Sequence, residues 1–336
     1  MPTVSAKRSA TEFAVDLSKF RPLETILAYD DFDLGVQGWT ELTGNYRQDR
    51  MAVVPGHEAF TDLRPPMLSS ATFPIVGTHG SMSGTYSLKL ATRAIAAGAG
   101  EPIRRGGFAQ CLKRLTWQAR GLVQFEMWFT YKPEADRPGI GENEFRAFGV
   151  LWDLQDDRHR YFPAVRYLNA ANGVMRQKWQ FAQARAVSAE DWSGNFDTSI
   201  SEDMASAVGA QPGIDPQWFG RRYPDGSTDG FRDIPKGEQK LCYNETVDKI
   251  NWHYLRFLVD SRRREYVELQ CNERTFDLRG IQPTLAGAYP RIWSLLNLAL
   301  WVEADTNRRC FLFVDSAVIS TGPSPARPRQ VKDRKR

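Results

Sequence analysis

The stretch Gly121–Tyr131, GLVQFEMWFTY, alternates apolar and polar positions. Val123, Phe125, Met127 and Phe129 fall on one side, and Gln124, Glu126, Trp128 and Thr130 on the other. A period of two is what a β-strand shows when one face enters a core. The same pattern predicts strands over Tyr86–Arg93, Ala109–Leu115, Phe145–Leu154, Arg160–Leu168, Val174–Phe181 and Trp252–Asp260. It continues through Glu265–Cys271, Arg274–Leu278, Ile292–Glu303 and Cys310–Ser320. Short strands with turn signals between them predict an all-β sandwich of two antiparallel sheets rather than alternating βα units. The segment Ser188–Gln239 breaks the pattern. It carries the turn dipeptides Ser193-Gly194, Pro212-Gly213, Asp225-Gly226 and Asp229-Gly230, and one helix-prone stretch, Ser199–Val208. It is expected to be a long, partly helical insertion, of the kind that often serves as a lid or binding loop. The resulting division is an irregular lead-in over 1–25, one sandwich domain over 26–321 with its insertion at 188–240, and a basic, disordered tail over 322–336.

Composition narrows the chemistry. With 336 residues the chain can bury a large core without a disulfide or metal staple. A net charge of +4 is too small over such a surface to argue for nucleic acid. No apolar run is long enough for a membrane-spanning helix. Four histidines, far apart in sequence, count against a multi-histidine metal centre. Cys111, Cys242, Cys271 and Cys310 form no CxxC pair and read as free thiols. The N-terminus lacks the apolar segment of a signal peptide, so the expected location is the cytoplasm. Neither a phosphate-binding glycine loop nor a G-x-S-x-G elbow is present, and no organic cofactor is expected.

The faces turned away from the core carry the candidate ligand groups. Gly121–Tyr131 offers Glu126 and Trp128; Trp252–Asp260 offers Tyr254 and Arg256; Glu265–Cys271 offers Tyr266, Glu268 and Gln270. Ile292–Glu303 adds Asn297, Trp301 and Glu303, and Arg160–Leu168 adds Arg166. If these strands share one sheet, its outer face mixes rings, amides, carboxylates and guanidinium groups. Rings stack on the apolar faces of sugars while amides and carboxylates take the hydroxyls. Trp128 and Trp301 are the expected platforms, and Glu126 and Glu268 the expected acid/base or hydroxyl-binding pair. Glycoside hydrolysis needs two carboxylates about 5–5.5 Å or 6.5–9.5 Å apart. A lyase would instead use a Tyr or His base beside an Arg, for which His253, Tyr254, Arg256 and Tyr266 are the candidates. The same positions also fit an ordinary solvated face with cross-strand pairs such as Glu126 to Arg256.

Four segments carry a family resemblance. Tyr29–Thr40 (YDDFDLGVQGWT), Tyr86–Arg93 (YSLKLATR, after Met82-Ser83-Gly84-Thr85) and Phe311–Ser320 (FLFVDSAVIS) resemble the opening, second and final strands of carbohydrate-binding jelly rolls. Trp252–Gly280 resembles the hairpin of concanavalin A-like lectin and glucanase domains. In this order the segments resemble a bacterial β-sandwich family of that broad group. The resemblance implies a concanavalin A-like jelly roll that binds or processes a sugar or glycoside on a concave polar-aromatic face, as a glycoside hydrolase or lyase. The alternative is a non-catalytic lectin-like or protein-interaction module, whose insertion serves a partner surface or a homodimer contact. The ExDxxE strand of the glucanases is absent; Gln124–Trp128 has one acid only. In the jelly rolls the crowded acids at the sandwich end hold a structural calcium. Here Asp31 and Asp33, beside Asp315 on the last strand, are the expected ligands, at the roughly 2.3–2.6 Å suited to hard oxygens.

Overall fold

Val123, Phe125, Met127 and Phe129 are all fully buried, as their shared strand face requires. A computed structural model of the chain describes residues 17–41, 66–70, 81–92, 108–115, 120–134, 141–183, 231–242, 251–283, 285–287, 295–306 and 308–325. Its strands form two antiparallel sheets. The first sheet runs β14 (Arg274–Asp277), β13 (Glu265–Cys271), β12 (His253–Asp260), β6 (Leu122–Pro133), β17 (Cys310–Gly322), β4 (Tyr86–Ala91) and β3 (Met67–Ser70). β1 (Thr25–Asp30) also pairs with β17. The second sheet runs β11 (Phe231–Glu238), β10 (Val174–Ala182), β9 (Ala164–Ala171), β7 (Phe145–Gln155), β16 (Leu295–Ala304), β5 (Phe108–Leu115) and β2 (Trp39–Glu41). β8 (His159–Tyr161) joins β7 to β15 (Leu285–Gly287). One core fills the space between the sheets, with Phe125, Phe257 and Ile319 from the first and Val150, Trp152, Leu298 and Leu300 from the second.

Several ladders carry register shifts, and three of them bear on the candidate site residues. On β17, Val314 pairs with Phe129 and Ala317 with Met127, so one extra residue is accommodated at Asp315–Ser316. There β17 changes partner, from β4 before the bulge to β1 after it. On β13, Tyr266 pairs with Val259 and Glu268 with Leu258, leaving Val267 as the extra residue. On β7, Phe145 pairs with Ala304 and Ala147 with Glu303, leaving Arg146 extra.

Several expectations change. Arg160–Leu168 is two strands, β8 and β9, parted by Phe162-Pro163, because proline supplies no ladder donor. Phe231–Glu238, placed in the insertion by sequence, is edge strand β11. Ser199–Val208 lies outside the described residues, and among those described there is no α-helix, so a partly helical insertion is not supported. No described helix is long and apolar enough to cross a membrane. Most of the lead-in and tail also lie outside the described residues. Cys111, Cys271 and Cys310 are buried free thiols and Cys242 is an exposed one.

Candidate functional site

Residues 17–23 lie across the outer face of the first sheet as a strap. The strap bonds to side chains of the sheet rather than to its backbone. The Arg21 amide donates to Glu126 Oε1 at 2.7 Å, and Gln124 Nε2 donates to the Arg21 carbonyl at 2.8 Å. Trp128 Nε1 donates to the Lys19 carbonyl at 3.3 Å, and the Leu23 amide to Ser320 Oγ at 3.0 Å. Phe20 packs against Tyr254 and Val318, with Tyr29 edge-on at 6.3 Å. Lys19 Nζ donates to Ser83 Oγ at 2.6 Å and stands 3.7 Å from Asp315.

Glu126 is the centre of this contact and is fully buried. Besides the Arg21 amide it accepts the Tyr254 hydroxyl at 2.5 Å and Gln124 Nε2 at 3.0 Å. Burial, and then the bond to Glu126, push the Tyr254 phenol well above its ordinary range, so it stays a donor. Beside Glu126 a half-open pocket of about 350 Å³ remains. Residues 18–21 form one wall; Trp128, Tyr254, Gln270 and Asn272 form the other. The Trp128 and Tyr254 rings are 5.5 Å apart. Asn272, in the left-handed region at φ 52°, accepts the Tyr254 amide at 3.0 Å on its own side-chain oxygen. The Asn272 side-chain amide lies 3.0 Å from His253 Nδ1, and His253 Nε2 lies 2.7 Å from the Cys242 carbonyl. Nδ1 therefore accepts and Nε2 donates, the neutral tautomer. Burial holds the His253 pKa below its usual value.

The second sheet carries a separate polar cluster on its own outer face. In the β7 bulge Arg146 reaches Glu303 at 3.1 Å and Asp305 at 3.0 Å. Trp301 Nε1 donates to the other Glu303 oxygen at 2.9 Å. The indole lies over Gly149, where any β-carbon would overlap it. Arg166 donates to Gln180 at 2.8 Å and its guanidinium sits 4.1 Å from the Phe231 ring. Arg160 forms a two-bond fork with Asp153, at 2.6 and 2.7 Å, and Asn297 donates to the same carboxylate at 3.0 Å. Phe231 and Trp301 come within 6.2 Å although three strands separate β11 from β16, so this face is concave. Arg166, Trp301 and Glu303 are each less than 5 % exposed.

The residues chosen from sequence therefore do not share one face. Glu126, Trp128, Tyr254, Arg256, Glu268 and Gln270 belong to the first sheet; Arg166, Asn297, Trp301 and Glu303 belong to the second. The reason is pairing: β16 lies between β7 and β5, not beside β6. Tyr266 joins neither group. The Val267 bulge turns it into the core, where its hydroxyl donates to the Ala182 carbonyl at 2.7 Å. Arg256 and Glu126 are cross-strand neighbours, yet Arg256 pairs with Glu268. The expected calcium ligands bind protein donors. Asp33 Oδ1 accepts the Thr85 and Tyr86 amides at 2.7 and 2.9 Å, and Asp31 Oδ1 the Asp33 amide at 3.2 Å. Asp315 Oδ2 accepts the Ser83 amide at 3.0 Å beside the β17 bulge. Asp30 pairs with Lys113 at 2.9 Å and with the Trp39 indole at 2.8 Å. Among the described residues no three His, Cys, Asp or Glu side chains are grouped to hold a metal ion.

Sequence reading missed Lys19, Arg21 and Asn272. The strap acts largely through backbone atoms, which leave no mark in side-chain periodicity. Asn272 had one signal, an Asn at a hairpin tip, which tolerates positive φ.

Over residues 7–323 the sequence matches a family described as a domain of unknown function, DUF6772. The chain belongs to that family. No curated protein matches it. Among solved structures it is similar to a fructofuranosidase from Schwanniomyces occidentalis complexed with fructosylnystose, at 11% identity and a TM-score of 0.26, over 76% of this chain and 38% of that one. The chain thus spans well under half of that enzyme. It is also similar to the alginate lyase Aly36B in complex with an alginate tetrasaccharide, at 11% identity and a TM-score of 0.39, over 72% of this chain and 84% of that one. The cellulose-induced protein Cip1 shares 11% identity at a TM-score of 0.36, over 89% of this chain and 99% of that one. All three scores are low, and nothing about the ligand of this chain follows from them.

Proposed function

We propose that this chain is a carbohydrate-binding protein whose ligand enters the pocket between the strap and the first sheet. The observation that carries the reading is the Trp128–Tyr254 ring pair, 5.5 Å apart, in a half-open pocket of about 350 Å³ beside Gln270 and Asn272. That volume lies in the range of small-ligand sites, which join an apolar platform to a few placed polar groups. Trp128, half-buried and backed by Tyr254, offers apolar surface to a sugar face, and the amides offer partners to its hydroxyls.

Binding without hydrolysis is the favoured form. Glu126 already accepts three donors and is covered by the strap, so it has no oxygen turned to a substrate. Glu268 is paired with Arg256 on a strand two places from β6, about 10 Å away across the sheet. Calorimetry against a panel of oligosaccharides tests the reading. Trp128→Ala should weaken binding at least tenfold, and Trp301→Ala should leave it unchanged. Glu126→Gln and Glu268→Gln test the enzymatic alternative: loss of turnover with affinity retained would favour it.

A second reading places the ligand on the concave outer face of the second sheet. What favours it is Arg166, stacked on Phe231 near Trp301. Under it, the effects of Trp128→Ala and Trp301→Ala are reversed.

A further inference from the structure

The strap pocket has charge of one sign on its lining. Lys19 and Arg21 contribute cations, and among the described residues no carboxylate lines it. Of the acids nearby, Glu273 follows Asn272 in the chain and is exposed, and three others are held by protein donors. Glu126 accepts three donors, Glu268 pairs with Arg256, and Asp315 accepts Ser83 with Lys19 close by. Lys19 is committed to Ser83 and Asp315. Arg21 is different. Its backbone anchors the strap, but its side chain is exposed and makes no ion pair among the described residues. Arg21 is among the residues that line the pocket, beside Phe20 and Tyr254. The backbone bonds fix where the Arg21 side chain starts, so only its own rotamers must be ordered when it meets an anion. A guanidinium fork matches a carboxylate with two parallel bonds.

We infer that the pocket selects an acidic saccharide, a uronate whose carboxylate meets Arg21 while its ring faces Trp128. This inference rests on the carbohydrate-binding reading above. It also assigns the strap a role: it supplies the charge selectivity, while the sheet supplies the platform.

The test is calorimetry of the full chain at low salt with uronate tetramers of several stereochemistries. Each is compared with its carboxyl-reduced, neutral counterpart. At least one uronate should bind about tenfold tighter than its neutral form, as a charge-assisted bond gives. Added salt should narrow the gap. Arg21→Gln should remove the preference, lowering the uronate's affinity far more than the neutral form's, because the backbone bonds to Glu126 and Gln124 remain. Arg21→Lys should keep part of the preference, whereas Trp128→Ala should weaken both forms. Equal binding of acid and neutral forms, or a preference that survives Arg21→Gln, overturns the inference and leaves the carbohydrate reading intact. Binding of no saccharide, acidic or neutral, overturns both.

Discussion

At the scale of single residues, the first sheet's outer face depends on Glu126. It is fully buried and meets three donors, one of them a backbone amide of the strap. Glu126→Gln replaces one acceptor oxygen with a donor that faces donors. A buried bond broken in this way costs roughly 1–3 kcal/mol. Urea unfolding should show that loss, and an unchanged midpoint would contradict the assignment of Glu126 as an anchor. His253 gives a pH signature. Its pKa in the folded chain lies below the ordinary 6.5, chiefly through burial. The unfolded chain therefore takes up the proton first as pH falls. Stability should drop as pH is lowered from about 6.5 through the folded value, and be regained above it. His253→Asn should flatten that slope in unfolding measured from pH 5 to 8. Glu126 and Trp128 were legible as outward residues because strict alternation holds on β6. Tyr266 was not, because one extra residue at Val267 reverses its face and leaves the composition of the strand unchanged.

At the scale of elements, the strap and the concave β7–β16 surface make separate predictions. Phe20 fixes the strap by packing on Tyr254 and Val318. Truncating a buried Phe costs about 3–5 kcal/mol where the site cannot collapse. Here the strap can detach instead. Phe20→Ala should accelerate hydrogen exchange of the Arg21 and Leu23 amides, which bond to Glu126 and Ser320, while the β6 and β17 amides stay protected. Faster exchange throughout the sheet would mean that the strap is part of the core rather than a cover. On the second sheet, Gly149→Ala forces the Trp301 indole to move. Overpacking of this kind costs about 1–3 kcal/mol, and it should break the Trp301–Glu303 bond, visible as a shifted indole N–H resonance. An unshifted resonance would contradict the placement. The sequence marked most strands because their inner faces are apolar at every second position. It did not mark β11, whose RDIPKGE run is polar and stays at an edge, where a Pro is tolerated.

At the scale of the whole molecule, an all-β fold was readable because alternation is local, whereas strand order is not. Asn297, Trp301 and Glu303 have the right spacing for an outward face, but nothing in β16 says which sheet it joins. The sandwich therefore presents two chemically rich exteriors on opposite sides of one core. On the first, Trp128 lines an open pocket; on the second, the rings and charges are buried and bonded to one another. Amide and indole chemical shifts followed during titration with a bound saccharide separate the two most directly. Carbohydrate binding beneath the strap predicts that the largest shifts fall on residues 18–21, the Trp128 indole, Gln270 and Asn272, with the Trp301 indole unmoved. Shifts concentrated on Trp301, Arg166 and Phe231, with the strap silent, would contradict it.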